Sequence, residues 1–237
     1  MLSIFFPKVC GICKKKINQK YTCEKCSNIL QYTMKKELCV RNINSYVDKL
    51  ISLFLYKDLI RDALLEFKFN GKAYISNTFA ELMCNAIMKN SISGDLIIPV
   101  PIHRKRYKVR GYNQSELLSK FIAKRLKIKY GKKILLKVKN NLAQSTLDMI
   151  SRQKNVMNVY KINSKSNMKG KKIILVDDIY TTGATVNECA KILKQNGVQE
   201  VVVITVAYAY GDRKLINIEK LDNHHETSVN KGGIING

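Results

Sequence analysis

The apolar positions of this chain change character near residue 50. Residues 1–50 show little apolar periodicity and hold five of the seven cysteines. A segment of that kind cannot easily build a core alone, so something must staple it. From Ser52 the pattern becomes regular. Tyr56 to Phe69 (YKDLIRDALLEFKF) spaces Leu59, Ala63 and Phe67 four apart, and Ile60 and Leu64 likewise. That spacing predicts an amphipathic helix, with Gly71 as its stop. Ala73 to Met88 reads as a second helix. Asp95 to Val100 (DLIIPV) is a short apolar run before Pro101, which predicts a buried strand ending at a loop. Asn113 to Leu126 reads as a strong helix, with Leu117, Leu118, Phe121, Ile122 and Leu126 as its stripe. Asn113 and Glu116 have capping-box spacing. Ile134 to Val138 and Lys172 to Val176 (KIILV) predict strands, the latter β-branched and apolar. Ala184 to Asn196 predicts a helix stopped by Gly197, and Glu200 to Val206 (EVVVITV) another buried strand.

Strands with near-continuous apolar faces, alternating with helices, predict an α/β fold with a parallel sheet covered on both faces. In such sheets ligands bind beyond the carboxyl ends of the strands. The expected site therefore lies after Val100 and after Val176. Gly211 to Gly237 is polar and aperiodic, and is expected to be a frayed tail.

The stretch after Val176 carries the most chemistry. It reads Asp177-Asp178-Ile179-Tyr180-Thr181-Thr182-Gly183-Ala184-Thr185. A buried strand delivers two carboxylates to the sheet's edge, and a small hydroxylated loop then enters a helix. Gly183 lets the backbone approach a ligand closely and can take positive φ. Successive N–H groups and the positive helix end make an anion cradle, to which Thr181, Thr182 and Thr185 can add hydroxyls. Asp177 and Asp178 suit vicinal ribose hydroxyls, or magnesium through water. The bland reading is an acidic turn with a helix cap, for which Thr185 and Glu188 have capping-box spacing. Capping alone does not explain two aspartates at the end of an apolar strand. After Val100, a proline-stiffened basic loop from Pro101 through Arg104 to Arg110-Gly111-Tyr112-Asn113-Gln114 is suited to pyrophosphate. The alternative there is a solvated basic loop. His103, alone beside Pro and Arg, is read as a surface residue.

The cysteines add a second kind of chemistry. Cys10-x2-Cys13 and Cys23-x2-Cys26 are two knuckles, each able to point two thiolates at one ion, and together they predict a tetrahedral zinc site. Zinc would supply the folding energy this segment lacks. Four protein ligands leave no open position, so the zinc is expected to be structural. A redox pair is the competing reading, and two spaced pairs favour metal. Cys39 is a spare thiol or a substitute ligand; Cys84 and Cys189, on apolar helical faces, are expected in the core.

Composition and charge narrow the partners. The 237 residues are 46% hydrophobic and 25% charged, which excludes disorder as the main state. No run approaches the length of a membrane span. Met1 to Phe6 is apolar but short, with no basic stretch before it, so it matches a signal peptide poorly and a cytoplasmic protein is expected. The net charge is +24, and residues 101–170 hold nineteen Lys/Arg against Glu116 and Asp148. Such a surface attracts polyanions in a salt-dependent way. A compositional bias toward Lys, Ile and Asn is the alternative. Lysines and tyrosines around the knuckles (Lys14 to Lys16, Lys25, Lys35, Lys36, Tyr21, Tyr32) suit single-stranded nucleic acid, or are a solvated surface.

Residues Ile173 to Thr185 resemble the signature of the type I phosphoribosyltransferases, which bind phosphoribosyl pyrophosphate (PRPP). With Arg104, Arg110, Gly111, Tyr112, Asn113 and Gln114, the chain resembles the ComF family of competence-associated proteins from Val9 to Ala207. The resemblance implies a type I phosphoribosyltransferase-like parallel sheet with flanking helices, a hood or lid, and magnesium with PRPP. It implies that Asp177 and Asp178 meet the ribose, and Thr181, Thr182, Gly183, Ala184 and Thr185 the 5′-phosphate. It also implies Lys68 near pyrophosphate and a mobile lid over Gln144 to Asn155 carrying Arg152 and Asn155. The expected organisation is a zinc-binding module (1–48), a phosphoribosyltransferase-like domain (49–210) and a tail (211–237). Two functions are expected from different classes. One is a PRPP-binding protein that handles single-stranded DNA during DNA uptake, with a possible partner in that machinery. The other is an active magnesium-dependent phosphoribosyltransferase, with Arg104, Arg110 and Arg152 stabilising the leaving pyrophosphate. A regulator that senses PRPP is a weaker third. The sequence names no residue for an acceptor base.

Overall fold

The computed structural model describes residues 9–18, 21–42, 46–139, 159–163 and 167–209. The elements in chain order are α1 (Glu24–Glu37), β1 (Cys39–Asn42), β2 (Lys49–Leu55), α2 (Asp58–Phe69), α3 (Ile75–Lys89), β3 (Leu96–Pro99) and α4 (Arg104–Arg110). They continue with α5 (Gln114–Leu126), β4 (Lys129–Tyr130), β5 (Leu135–Lys137), β6 (Tyr160–Ile162), β7 (Lys172–Tyr180), α6 (Ala184–Gln195) and β8 (Glu200–Tyr208). Six strands form one sheet in the order β1-β2-β8-β7-β3-β4, and β5 pairs with β6 in a small hairpin. Every neighbouring pair of the large sheet is parallel except β1 with β2.

The buried strands read as continuous apolar runs because both faces are covered. In β7, Ile173, Ile174, Leu175 and Val176 are all at most 1% exposed. Alternation then sends them to two cores. Ile174 and Val176 join α2, α3 and α5 through Phe67, Phe79, Leu118 and Ile122. Ile173 and Leu175 join α6 and the β5–β6 hairpin through Cys189, Leu193, Leu135 and Tyr160. Burying each such side chain stabilises the fold by roughly 1.5–3 kcal/mol.

The first segment is tied to this sheet. Leu30 of α1 lies in the core beside Ile51 and Phe54. The expected boundary near residue 48 falls between β1 and β2, which pair antiparallel from Cys39–Ser52 to Asn42–Lys49. The structure adds α1, β1, β2, α4, β4 and β6, which the periodicity did not reveal. In α2 the buried face is Ile60, Ala63, Leu64 and Phe67; Leu59 is 41% exposed. Cys84 and Cys189 are fully buried, as their helical positions implied. Gln144 to Asn155 and the tail from residue 211 lie outside the described residues.

The topology defines where a ligand can enter. The chain leaves β3 through α4 and α5, and α5 packs on the first core. It leaves the adjacent strand β7 through α6, which packs on the second core. Two neighbouring parallel strands whose connections depart to opposite faces leave a crevice at their carboxyl ends.

Candidate functional site

That crevice is lined by the residues following Pro99 and Val176. The strand does not stop at Val176 as expected. β8 supplies partners up to Tyr208, so β7 continues through Asp177 (opposite Thr205) to Tyr180 (opposite Tyr208). The turn proper shrinks to Thr181, Thr182 and Gly183, and both aspartates sit on rigid strand. Successive strand residues face opposite sides, so the two carboxylates meet different neighbours.

Asp178 lies on the α2 side and is 7% exposed. Its Oδ2 is 3.0 Å from Lys68 Nζ, an ion pair of two largely buried groups. Arg110 is also within electrostatic reach of Asp178; burial disfavours the guanidinium's charge, and the carboxylate favours it. Asp177 Oδ1 accepts from Ser115 Oγ at 2.8 Å and from the Asp178 backbone N–H at 2.9 Å. Burial, and then the neighbouring Asp178 charge, push the Asp177 carboxyl up to about 7, against the pull of Ser115 and Lys68. Beside it lie Lys137, Tyr160 and Cys189. Lys137 is brought down to about 8, first by burial and then by Arg106, and its Nζ is 5.3 Å from the Tyr160 ring centroid.

Local sequence explains the placement of the surrounding side chains. Asn113 caps α5, its Oδ1 accepting from Ser115 N–H at 3.1 Å, and its Nδ2 donates to the Val100 carbonyl at 3.0 Å. That pair fixes the start of α5 to the end of β3 and presents Ser115 to Asp177. Glu116 does not look back to the cap; it pairs with Lys120 at 2.8 Å. Gln114, buried, donates to the Phe67 and Lys68 carbonyls at 3.4 and 3.5 Å, and Tyr112 donates to the Phe67 carbonyl at 2.5 Å. The end of α2, and so Lys68, is held against α5. His103 is the N-cap of α4, its Nδ1 accepting from Lys105 N–H at 3.3 Å.

Residues 104–110 form a helix closed by Gly111 at φ 78°, not an open loop. In it Arg104 is exposed, while Arg106 and Arg110, one turn apart, are half-buried. Arg106 lies near Lys137 and Tyr160. Pro101 stands between β3 and α4. Lys137 and Tyr160 were not anticipated from the sequence, and Arg106 only as one of the basic residues of the loop; the four-residue spacing of Arg106 and Arg110 becomes a signal only once the stretch is read as helical.

The turn carries its own constraints. Gly183 is the N-cap of α6 at φ 76°. A Cβ there would run into the Tyr180 ring, with Cζ at 2.7 Å. Glycine is thus required twice, for conformation and for space. Thr182 Oγ1 accepts from Ala184 N–H at 3.4 Å. Because Gly183 caps the helix, Thr185 is inside its first turn and not the cap that its spacing with Glu188 suggested. Its hydroxyl instead shares a hydrogen bond with Tyr160. Thr181 and Thr182 are half-buried at the head of α6, whose first N–H groups point the same way. Among the described residues, Lys68 and Arg110 thus stand within reach of Asp178 and Lys137 within reach of Asp177, with Arg106 near Lys137, next to a helix N-terminus. Such a set can meet an anion that also offers hydroxyl donors. Arg152 lies outside the described residues.

A second centre stands apart from the crevice. The Sγ atoms of Cys10, Cys13, Cys23 and Cys26 all lie within 4.8 Å of one another. Cys13 and Cys23 Sγ are 3.7 Å apart, matching the roughly 3.8 Å edge of a tetrahedron built on thiolate–zinc bonds of about 2.3 Å. The first knuckle is a turn closed by Cys10 N–H to the Lys15 carbonyl at 2.8 Å, and the second is the opening turn of α1 with Cys23 as N-cap. A Cβ at Gly11 would collide with Thr78, whose hydroxyl donates to the Tyr21 carbonyl at 3.0 Å, so the knuckle presses on α3. The donor set fits a soft, four-coordinate metal ion.

A parallel sheet with flanking helices and this strand–turn–helix at its carboxyl edge define a protein of the type I phosphoribosyltransferase-like class. A family model described as the phosphoribosyl transferase domain matches residues 113–231. Competence protein F of Haemophilus influenzae is 32% identical over 208 residues, covering 85% of this chain and 90% of that protein. The chain therefore belongs to the ComF family. Competence protein ComFC of Bacillus subtilis is 27% identical over 193 residues (80% of this chain, 72% of that protein). The DNA utilization protein YhgH of Escherichia coli is 25% identical over 203 residues (82% and 88%). Among solved structures, adenine phosphoribosyltransferase from Leishmania tarentolae overlaps 72% of this chain and 94% of its own at 11% identity, with a TM-score of 0.42. Among the described residues, no helix is long and apolar enough to cross a membrane.

Proposed function

We propose that the chain binds PRPP, or a similar phosphorylated pentose, with magnesium in the β3–β7 crevice, and handles single-stranded DNA in competence-related DNA uptake in the cytoplasm. The observation that carries the reading is the pair Asp177–Asp178 on the last turn-bearing stretch of β7, flanked by the Gly183 turn and by Lys68, Arg106, Arg110 and Lys137. In this reading the carboxylates accept from ribose hydroxyls. Thr181 to Thr185 cradle the 5′-phosphate, and the cations meet pyrophosphate. Lys68 exchanges Asp178 for the ligand. Residues 1–48 form a module around a structural zinc held by Cys10, Cys13, Cys23 and Cys26, and residues 49–210 the phosphoribosyl domain. The DNA role is supported by the names of the relatives, competence protein F and DNA utilization protein, and by the net charge of +24.

Titration calorimetry with PRPP and magnesium tests the site. Binding by the wild type and none by Asp177→Asn/Asp178→Asn is the expected pair of results; unchanged binding by the double variant removes the crevice as the site. Affinity for single strands should fall steeply with salt.

One observation favours a second reading, an active phosphoribosyltransferase. A carboxyl at about 7 is matched to proton transfer near neutral pH. A base nitrogen would form the bond to C1 of the ribose while pyrophosphate leaves with the C1–O electron pair, and Asp177 would take the proton the base sheds. Magnesium-dependent pyrophosphate release across a set of bases decides between the two readings.

A further inference from the structure

Phe69 ends α2 and is 66% exposed, the most exposed aromatic ring among the described residues. Its neighbour two positions back, Phe67, is fully buried and stacks on Tyr112 at 5.8 Å between centroids. The core at this end of α2 is therefore complete without Phe69. The exposed ring is not bare. The Arg110 guanidinium carbon stands 5.2 Å from its centroid. Arg110 is held there, since its Nη1 donates to Gln114 Oε1 at 3.3 Å, and Gln114 is itself anchored on the Phe67 and Lys68 carbonyls. Beyond the ring the chain turns through Gly71 at φ 65°, where a Cβ would meet nothing within 4 Å. The flank is open. One residue back, Lys68 reaches Asp178 in the crevice.

We propose that Phe69, backed by Arg110, is a stacking platform for a nucleobase at the mouth of the phosphoribosyl crevice. A flat apolar ring with a fixed guanidinium on one side suits a flat, electron-rich π-system, and cations beside it suit the attached phosphate. Every base has such a face, so the platform is tolerant of sequence. This inference rests on the crevice reading above for what lies next to the ring. PRPP, which has no base, does not touch the platform; a nucleotide or a single strand does.

The chain contains no tryptophan, so Phe69→Trp places a sole indole reporter at the platform. Its fluorescence is titrated with an oligothymidylate, an abasic oligodeoxyribose-phosphate of equal length, and thymidine 5′-monophosphate. Quenching by the oligothymidylate and none by the abasic strand is the expected result. Additional quenching by the mononucleotide assigns the platform to single nucleotides; quenching by the strand alone assigns it to DNA. In parallel, Phe69→Leu should bind the oligothymidylate about tenfold more weakly, Phe69→Tyr should restore it, and magnesium–PRPP affinity should not move. Equal responses to the two strands, no quenching by any ligand, or undiminished binding by Phe69→Leu overturns the platform. Failure of wild-type protein to bind PRPP overturns the crevice reading and is scored separately from the indole signal.

Discussion

The four-cysteine centre and the β3–β7 crevice are both clusters of ionisable groups, but they are finished to different degrees. In the first, four like donors converge within 4.8 Å and leave no direction for a further ligand. In the second, the described residues are unlike groups: Lys68 holds Asp178 at 3.0 Å, and Arg110 and Lys137 bring further positive charge within reach of the two aspartates. A closed set of four thiolates fits a soft metal ion with no other group needed. An open set with positive charge and a helix N-terminus identifies only a class of ligand. Metal loss should therefore disrupt structure, and crevice variants should disrupt binding.

The largest expected effect tests the closed side. Cys10→Ser with Cys13→Ser should release all bound zinc and remove hydrogen-exchange protection over residues 9–37, as atomic absorption and exchange mass spectrometry would register. Retained metal would break the ligand set. Next, Asp177→Asn with Asp178→Asn should weaken magnesium–PRPP binding at least a hundredfold while zinc content stays at that of the wild type. Zinc loss in this variant would erase the contrast between the regions.

Gly183→Ala should cost about 1–2 kcal/mol from its backbone conformation alone, more once Tyr180 is displaced, and should lower PRPP affinity with it. Thermal melts with and without ligand separate the two effects. The pH dependence is a subtler probe. The Asp177 carboxyl keeps its proton to about 7 in the folded protein, against 3.8 unfolded. The folded state therefore binds more protons between those values, and this group's contribution to stability declines as pH rises through that window. Relative to wild type, Asp177→Asn should gain stability from pH 4 to above 7. Ligand affinity should rise through pH 7 in the wild type beyond any rise seen in the variant. The smallest change is expected from Ser115→Ala, about 1 kcal/mol for one hydrogen bond to Asp177; guanidinium denaturation would measure it.

Much of this molecule was legible from patterning. The helices α2, α3, α5 and α6 and the strands β3, β7 and β8 follow from apolar spacing and glycine stops, because each buries one face or two. What escaped has physical reasons. α4 buries no residue, so it leaves no apolar stripe; it exists because His103 caps it and Gly111 ends it. β2 lies where the apparent change of pattern was placed at Ser52, and its apolar run starts earlier, at Leu50. The extension of β7 to Tyr180 depends on β8 being equally long, a relation between distant segments that no local window contains. The site's acidic pair, glycine turn and lysine were readable because they are adjacent in sequence or carried by the family resemblance. Arg106, Lys137 and Tyr160 come from three other elements and meet only in the fold.

The pleat of β7 has a last consequence. Asp177 and Asp178 are held differently on the strand: Ser115 donates to the first, and Lys68 pairs with the second. A magnesium ion arriving alone finds one carboxylate already claimed by an ammonium and the other inclined to keep a proton. If the crevice takes magnesium–PRPP as proposed, the ion would be expected to enter already bound to the polyphosphate, with Asp177 and Asp178 left to meet hydroxyls. On that reading, magnesium alone should bind the crevice far more weakly than magnesium with PRPP, as titration calorimetry would show.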